Sequence, residues 1–354
     1  MKTLKNILLK IGHGGLLVTC LLLFLLILAV LTPSAAEEEK GSAVIEIRDT
    51  DNMVVSEISA EQSDSALATA VKIYLDRYRP PNAFILLMDA NSGNVLAWGQ
   101  RENGENSEEP TFFKRDSFPA ASLAKIATAV AALESGKNPK SEFPKIGRNS
   151  TLYKRQIFPK EDYTGDMISL EDAFAKSNNP VMGMIGIAIG KNEMQNTAEK
   201  LGFANFNYPD SAYELAESSS GFTRRNMISP LQAALAVRKL LFIRPKEYFQ
   251  EKTYDEIREL FLKTVIDGTA RKHINKSVYS YNRKNLDIGG KTGSLDGNSP
   301  AGRYDWFAGF AQSKSEPEKA IIIVVMQVHG EMRNQYSSVI AGLVINEWVK
   351  KIGS

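Results

Sequence analysis

The hydrophobic pattern changes period several times along the chain, and each change marks an element. Residues 11–31 hold no Asp, Glu, Lys or Arg and are almost continuously apolar from Leu16 to Leu31. That stretch reaches the ~20 residues that a bilayer-crossing helix requires. Val44-Ile45-Glu46-Ile47 reads as a short strand. Ser65 to Tyr78 reads as an amphipathic helix, and Pro80-Pro81 closes it at a domain boundary. Ala83 to Asp89 and Val95 to Trp98 are strand-like, and Asn91-Ser92-Gly93-Asn94 between them predicts a hairpin. Residues 101–118 are polar and read as loop. From Ser122 to Leu133 the chain is helical in composition and apolar almost all round, with Gly136 as its C-terminal cap.

Residues 137 to about 280 read as helix and loop. Ser169-Leu170-Glu171-Asp172 is a capping-box signature opening a short helix that ends near Lys176. Pro180 suits the first turn of a second helix ending near Gly190, so Ser177-Asn178-Asn179 falls in a tight loop between the two. Ser229-Pro230 caps a helix reading LQAALAVRKLL, and Tyr254 to Val265 is another. The tail returns to strands at Asn285 to Ser294 and Asp305 to Gln312. Ala320 to Val328 is a continuous apolar run, hence a central strand. Tyr336 to Lys350 is a last, apolar-faced helix. Two strands, a helical block, three strands and a helix predict an α+β domain: one five-stranded antiparallel sheet flanked by helices, with an all-helical subdomain inserted over about 137–280.

Composition narrows the classes. The 354 residues are 43% hydrophobic and 24% charged, with a net charge of +2, which is ordinary for a protein with a real core. No basic block or basic-aromatic stripe suggests nucleic acid. The single cysteine, Cys20, lies in the apolar N-terminal stretch, and the three histidines are scattered. No disulfide, metal or cofactor is implied for the folded part. Lys2, Lys5 and Lys10 before the apolar stretch, and Glu37-Glu38-Glu39 after it, place the N-terminus inside. A cleaved signal peptide is the rival, since Ser34-Ala35-Ala36 offers small residues. A retained anchor is favoured because the apolar stretch is long for a signal segment. Either way the rest of the chain is exported. The organisation is then a tail and anchor over 1–36, a juxtamembrane linker over 37–81, and one domain over 82–354.

Candidate chemistry begins at Ser122-Leu123-Ala124-Lys125. Lys125 is the only charge in its apolar helix, and burial disfavours the charged form of a lysine. Three residues apart on a helix, it shares a face with Ser122, and a serine beside a proton acceptor is an activated nucleophile. The plainer reading is an N-cap serine and a lysine reaching out to water. Two more short motifs follow in order, Ser177-x-Asn179 in a loop and Lys291-Thr292-Gly293 on a strand. Alone, Ser177 and Asn179 read as loop caps. Gly290-Lys291-Thr292 is not the end of a phosphate loop, because Asn285 stands where that motif needs glycine and LDGNSPAG after it reads as loop rather than helix. Trp306 and Phe307 read as sheet core, and His329 as structural.

The ordered trio matches the serine penicillin-recognising enzymes. With FILLMDANSGNVLAWG, SLEDAFAKSNNPVMG, ISPLQAALAV, DGTAR and GKTGSLDGNSPAGRYDWFAGFA, residues 82–354 resemble the transpeptidase domain of penicillin-binding proteins, with its β-lactamase-like fold. The resemblance implies a membrane-anchored, extracytoplasmic serine D,D-transpeptidase or D,D-carboxypeptidase. Its substrates would be D-alanyl-D-alanine stem peptides of peptidoglycan, its covalent inhibitors β-lactams, and its partners other proteins of cell-wall synthesis. In that frame Ser122 is the nucleophile, Lys125 its base and Ser177 the donor to the departing amine. Asn179 orients Lys125 and binds the substrate amide. Lys291 and Thr292 take the terminal carboxylate, Gly293 leaves room for substrate against the strand edge, and Ser294 N–H joins Ser122 N–H as an oxyanion hole. Residues 37–81 are too few for a glycosyltransferase or a large pedestal domain, so the expectation is a minimal form. The alternatives are a β-lactamase, for which Glu214 is the nearest and a poor candidate to activate water, and a penicillin-binding sensor that acylates without turnover.

Overall fold

The computed structural model of the protein describes residues 44–48, 54–59, 62–107 and 118–353. The apolar stretch 11–31 lies outside them. Among the described residues no helix is long and apolar enough to cross a membrane. Strands β1 (Val44–Arg48) and β2 (Val54–Ser59) pair antiparallel with each other. Helix α1 (Ser65–Tyr78) follows, its N-terminus capped by Asp64, whose carboxylate accepts from the amides of Ala66 and Leu67.

Six strands then make the central sheet: β3 (Asn82–Asp89), β4 (Val95–Glu102), the short β5 (Glu105–Ser107), and later β10 (Leu286–Asn298), β11 (Ala301–Ser313) and β12 (Ala320–His329). Their order across the sheet is β10-β11-β12-β3-β4-β5, all antiparallel. The expected five strands are therefore present, and β5 adds a sixth inside the segment read as loop. Three polar residues carry no alternation strong enough to announce a strand, and β5 exists because β4 offers it an edge. LDGNSPAG, which reads as loop because of its turn residues Asn298 to Pro300, is likewise strand through Asn298, resuming at Ala301.

Between the halves of the sheet come short strands β6 (Phe118–Pro119), β7 (Glu142–Pro144), β8 (Met167–Ser169) and β9 (Met227–Ile228), paired β6 with β9 and β7 with β8. The helices here are α2 (Lys125–Glu134), α3 (Lys154–Ile157), α4 (Leu170–Ala175), α5 (Asn179–Ile189), α6 (Lys191–Leu201), α7 (Ala212–Ser220), α8 (Pro230–Arg238), α9 (Glu251–Ile266), α10 (Arg271–Ser277) and α11 (Ser280–Asn285). Helix α12 (Ser337–Ile352) ends the described chain. LQAALAVRKLL ends in a π-helical turn over Lys239–Ile243.

Period-two alternation divides the sheet between two cores. Phe84, Leu86 and Met88 of β3 join Ile322, Val324 and Met326 of β12 in a core shared with α2, α8 and α9. Ala83, Ile85 and Leu87 join Ile321, Ile323 and Val325 in a second core with α1 and α12. The central strand is apolar at every position because helices cover both faces, which removes the polar half of the alternation. Helix α1, expected within the linker, buries Leu67, Val71, Tyr74 and Leu75 in this second core. The Tyr74 hydroxyl donates to Glu347 on α12 at 3.0 Å.

Candidate active site

Ser122 sits in a 3-10 turn, Ala121–Ala124, that leads directly into α2. Sequence composition predicts one α-helix through both; the first turn is 3-10 instead. The turn is anchored to the sheet, where Trp306 Nε1 donates to Pro119 O at 3.0 Å, and to β9 through the β6–β9 pair. Ala121 has φ +48°, a left-handed conformation that costs a non-glycine residue of order 1–3 kcal/mol and gathers at functional sites. Gly221 (φ +68°) lies behind it, and a Cβ there would fall 1.8 Å from Ala121 O.

Lys125 is fully buried in α2. Its ammonium nitrogen is 2.7 Å from Ser122 Oγ and 2.7 Å from Asn179 Oδ1, and it also donates to the carbonyl of Ser220. Burial first, and the charge of Lys291 second, hold its proton affinity well below the ordinary lysine range. A neutral lysine has two N–H groups and one lone pair. Asn179 Oδ1 and Ser220 O only accept, so they take the two hydrogens. The lone pair is then left facing Ser122 Oγ, the arrangement of a base aimed at a nucleophile.

The S-N-N segment divides its work. Asn178, not its neighbours, is the N-cap of α5, its side chain accepting from Val181 N at 2.9 Å. Ser177 takes φ +55°, and Ser177 N and Asn178 N bond back to Phe174 O and Ala173 O at the end of α4. This turns the Ser177 hydroxyl toward Lys291 Nζ, 3.1 Å away, and Asn179 toward Lys125. Loop caps and chemistry thus occupy alternate residues of one tripeptide.

Strand β10 is an edge of the sheet. Lys291 and Gly293 face the Ser122 turn, and a Cβ on Gly293 would sit 3.3–3.4 Å from Ala120 O, Ala121 Cβ and Ser122 N. Lys291 is fully buried; it also donates to Thr292 O at 2.9 Å, and burial brings its pKa down to about 7. In an antiparallel ladder each residue sends its N–H and C=O the same way, alternating along the strand. Thr292 and Ser294, two apart on this edge strand, therefore send their N–H groups to the same side, and Gly293 between them lies beside the turn that holds Ser122 N.

These groups surround a cleft of about 850 Å³. Ser122, Ser177, Asn179, Thr292, Gly293 and Ser294 line it; Lys125 and Lys291 stand behind its wall. Several contributors had no sequence motif. Ser220 acts through its carbonyl, which any residue supplies. Thr269, whose hydroxyl lies 2.5 Å from that of Thr292, sits in the DGTAR stretch. Arg333, bonded to Ser294 Oγ at 3.2 Å, lies beyond the last strand. Glu214 is on α7, half-buried and paired with Arg225 at 2.9 Å, and it does not line the cleft.

Residues 83–350 match the family described as the penicillin binding protein transpeptidase domain. No curated protein sequence matches the chain. Among solved structures, the chain is similar to the transpeptidase domain of the FtsI4 D,D-transpeptidase from Legionella pneumophila, with 17% identity and a TM-score of 0.57, over 82% of this chain and 96% of that one. It is similar to the D,D-transpeptidase domain of a peptidoglycan glycosyltransferase from Eggerthella lenta, with 18% identity, a TM-score of 0.59 and 82% of each chain covered. The transpeptidase domain of Burkholderia pseudomallei penicillin-binding protein 3 gives 16% identity and a TM-score of 0.60, over 81% of this chain and 93% of that one. With the family match spanning most of the chain and the same fold in these structures, the protein belongs to the penicillin-binding protein transpeptidase family.

Proposed function

We propose that the protein is a serine D,D-transpeptidase of peptidoglycan, anchored in the cytoplasmic membrane by residues 11–31 with its domain on the outer side. Ser122 Oγ attacks the carbonyl carbon between the two terminal D-alanines, and its proton passes to Lys125 Nζ. The oxyanion forms against Ser122 N–H, at the start of a helix, and Ser294 N–H; each such donor is typically worth about 3 kcal/mol in the transition state. The C–N bond then breaks, the departing D-alanine amine taking a proton through the Ser177 hydroxyl. An ester on Ser122 remains, for transfer to an acceptor amine or to water. Those two fates distinguish transpeptidase from carboxypeptidase. A β-lactam follows the same path, but its amine stays tethered.

The observation that carries this reading is the pairing of a fully buried, two-acceptor-bound Lys125 with Ser122 at 2.7 Å. The β-lactamase alternative draws no support from Glu214, which is held by Arg225 on the protein surface. The test is intact-mass spectrometry of the chain mixed with benzylpenicillin and followed over time. A persistent adduct is expected, absent in Ser122→Ala. A transient adduct with steady penicillin loss would make it a β-lactamase, and an adduct on Ser122→Ala would remove Ser122 as nucleophile.

A further inference from the structure

Charge is nearly balanced over the whole chain, 43 Lys and Arg against 41 Asp and Glu, but not over α10 and α11. From Gly268 to Leu286 stand Arg271, Lys272, Lys276, Arg283 and Lys284, with no acidic residue between them. Asp267 and Asp287, which bound the stretch, pair with Lys263 and with Arg258 and Lys314. None of the five cations has an ion pair among the described residues. Helical spacing gathers them on one surface. In α10, Ile274 and Ser277 are buried while Arg271, Lys272, Asn275 and Lys276 are exposed, the spacing of a single helix face. In α11, Asn282 is buried and Tyr281 and Lys284 are exposed. The Arg283 guanidinium donates to Asn275 O at 3.0 Å and Asn275 Oδ1 at 2.8 Å, so the two exposed faces adjoin. Tyr279 and Tyr281 stand among them, 60% and 74% exposed.

This surface is built rather than loose. Asn346 of α12, itself buried, holds the joint between the two helices: its Oδ1 accepts from Tyr279 N at 3.1 Å and Asn282 Nδ2 at 3.0 Å, and its Nδ2 donates to Ser277 O at 2.8 Å. Unpaired ammonium and guanidinium groups beside exposed phenol rings suit one partner in particular. At the boundary between water and an anionic bilayer, basic side chains meet phosphates and tyrosine rings sit at headgroup level. The position in the fold points the same way. Ile274 and Val278 share the second core with Leu67 and Val71 of α1, the first helix described after the apolar stretch 11–31. Resting on the membrane-anchored reading above, we propose that α10 and α11 form a docking surface for anionic phospholipid headgroups, a second contact with the bilayer besides the anchor. A tether alone leaves a domain free to turn, whereas two contacts hold it. Thr269 and His273, at the inner side of the same segment, line the catalytic cleft. The contact therefore fixes how the cleft is presented relative to the membrane.

The test is hydrogen exchange, read by mass spectrometry, on the full chain in nanodiscs of phosphatidylcholine alone or of phosphatidylcholine mixed with phosphatidylglycerol. Each Lys or Arg held near an anionic surface strengthens the contact about fivefold. Amides of residues 271–285 are expected to exchange roughly tenfold or more slower in the discs with phosphatidylglycerol, while those of α9 and β12 do not change. The protection is expected to fade as salt is added, because exposed charges are screened. Lys272→Gln, Lys276→Gln and Lys284→Gln combined are expected to abolish it and to leave α9 and β12 at wild-type exchange. Equal exchange of 271–285 in both discs overturns the proposal, as does protection that survives in the triple variant. Protection produced by soluble polyphosphate in phosphatidylcholine discs, but not by phosphatidylglycerol, overturns it in favour of a polyanionic polymer. If the triple variant does not fold, Lys276→Gln alone carries the test: protection about fivefold weaker supports the surface and undiminished protection overturns it. A chain that enters neither disc overturns the anchor reading, and this proposal with it. A chain that enters both and exchanges equally in both overturns the docking surface alone.

Discussion

Lys125 meets three polar partners with a nitrogen that, when neutral, has only two hydrogens to give. That mismatch suits it to the role of base proposed above. Replacing Lys125 with Ala leaves Ser122 without a proton acceptor. Acylation by penicillin should fall roughly 100- to 10,000-fold, the range for a positioned general base, while far-UV circular dichroism stays unchanged; acylation within a few fold of wild type would take the base role away from it. The second lysine acts at a distance. The charge of Lys291 lowers the proton affinity of Lys125, and Lys291 carries that charge below about pH 7. On the proposed mechanism acylation requires neutral Lys125, so its rate should rise with pH through the lowered pKa of that residue. Lys291→Met removes the repulsion, raises the pKa of Lys125, and should move the acidic limb of the acylation profile to higher pH. A limb that stays in place or moves down would show that the two ammonium groups are not coupled.

At the scale of elements, Ser122, the proposed nucleophile, sits on a short 3-10 turn wedged between β10 and the end of α7. Gly221 closes α7 in the left-handed conformation, its amide bonding back to Ser218 O at 3.2 Å. The preceding residue, Ser220, gives its carbonyl to Lys125. A methyl group at 221 meets both the positive φ and the backbone of Ala121. Gly221→Ala should therefore lower the unfolding free energy by roughly 2 kcal/mol or more and slow acylation as well, because Ser122 must shift with Ala121. Urea titration with an unchanged m-value, read beside the acylation rate, checks both halves. A variant that loses stability but acylates normally would mean that the turn relaxes without moving Ser122.

At the scale of the whole molecule, the sheet has helices on both faces, and α1 belongs to the second of the two cores. Leu67, Val71, Tyr74 and Leu75 are buried there, and each such side chain is worth roughly 1.5–3 kcal/mol when removed from water. A fragment beginning at residue 80 should thus be less stable than one beginning at residue 62 by several kcal/mol, on the order of 5. Differential scanning calorimetry of the two should show a clearly lower midpoint for the shorter one. Equal midpoints would reduce α1 to a tether.

Much of this was legible in the chain itself, because some information is local. The apolar run at Ala320 to Val328 announced a central strand, since a strand covered on both faces has no polar half to alternate. Ser169, Pro180 and Ser229 announced helix starts, since caps are chosen by backbone groups within one turn. Ser122, Lys125, Ser177, Asn179, Lys291 and Thr292 stood out because their residue types, order and local setting match a known chemistry. What only the tertiary structure decided is which groups meet across distances the sequence does not encode: the Ser220 carbonyl on Lys125, Arg333 against Ser294, Thr269 against Thr292, and α1 on the sheet. It also placed Lys291 behind the wall of the cleft and Arg333 at its face. A strand residue's type shows what it can bind, but which side of the sheet it faces, and what packs there, is set by register and by the helices that cover it.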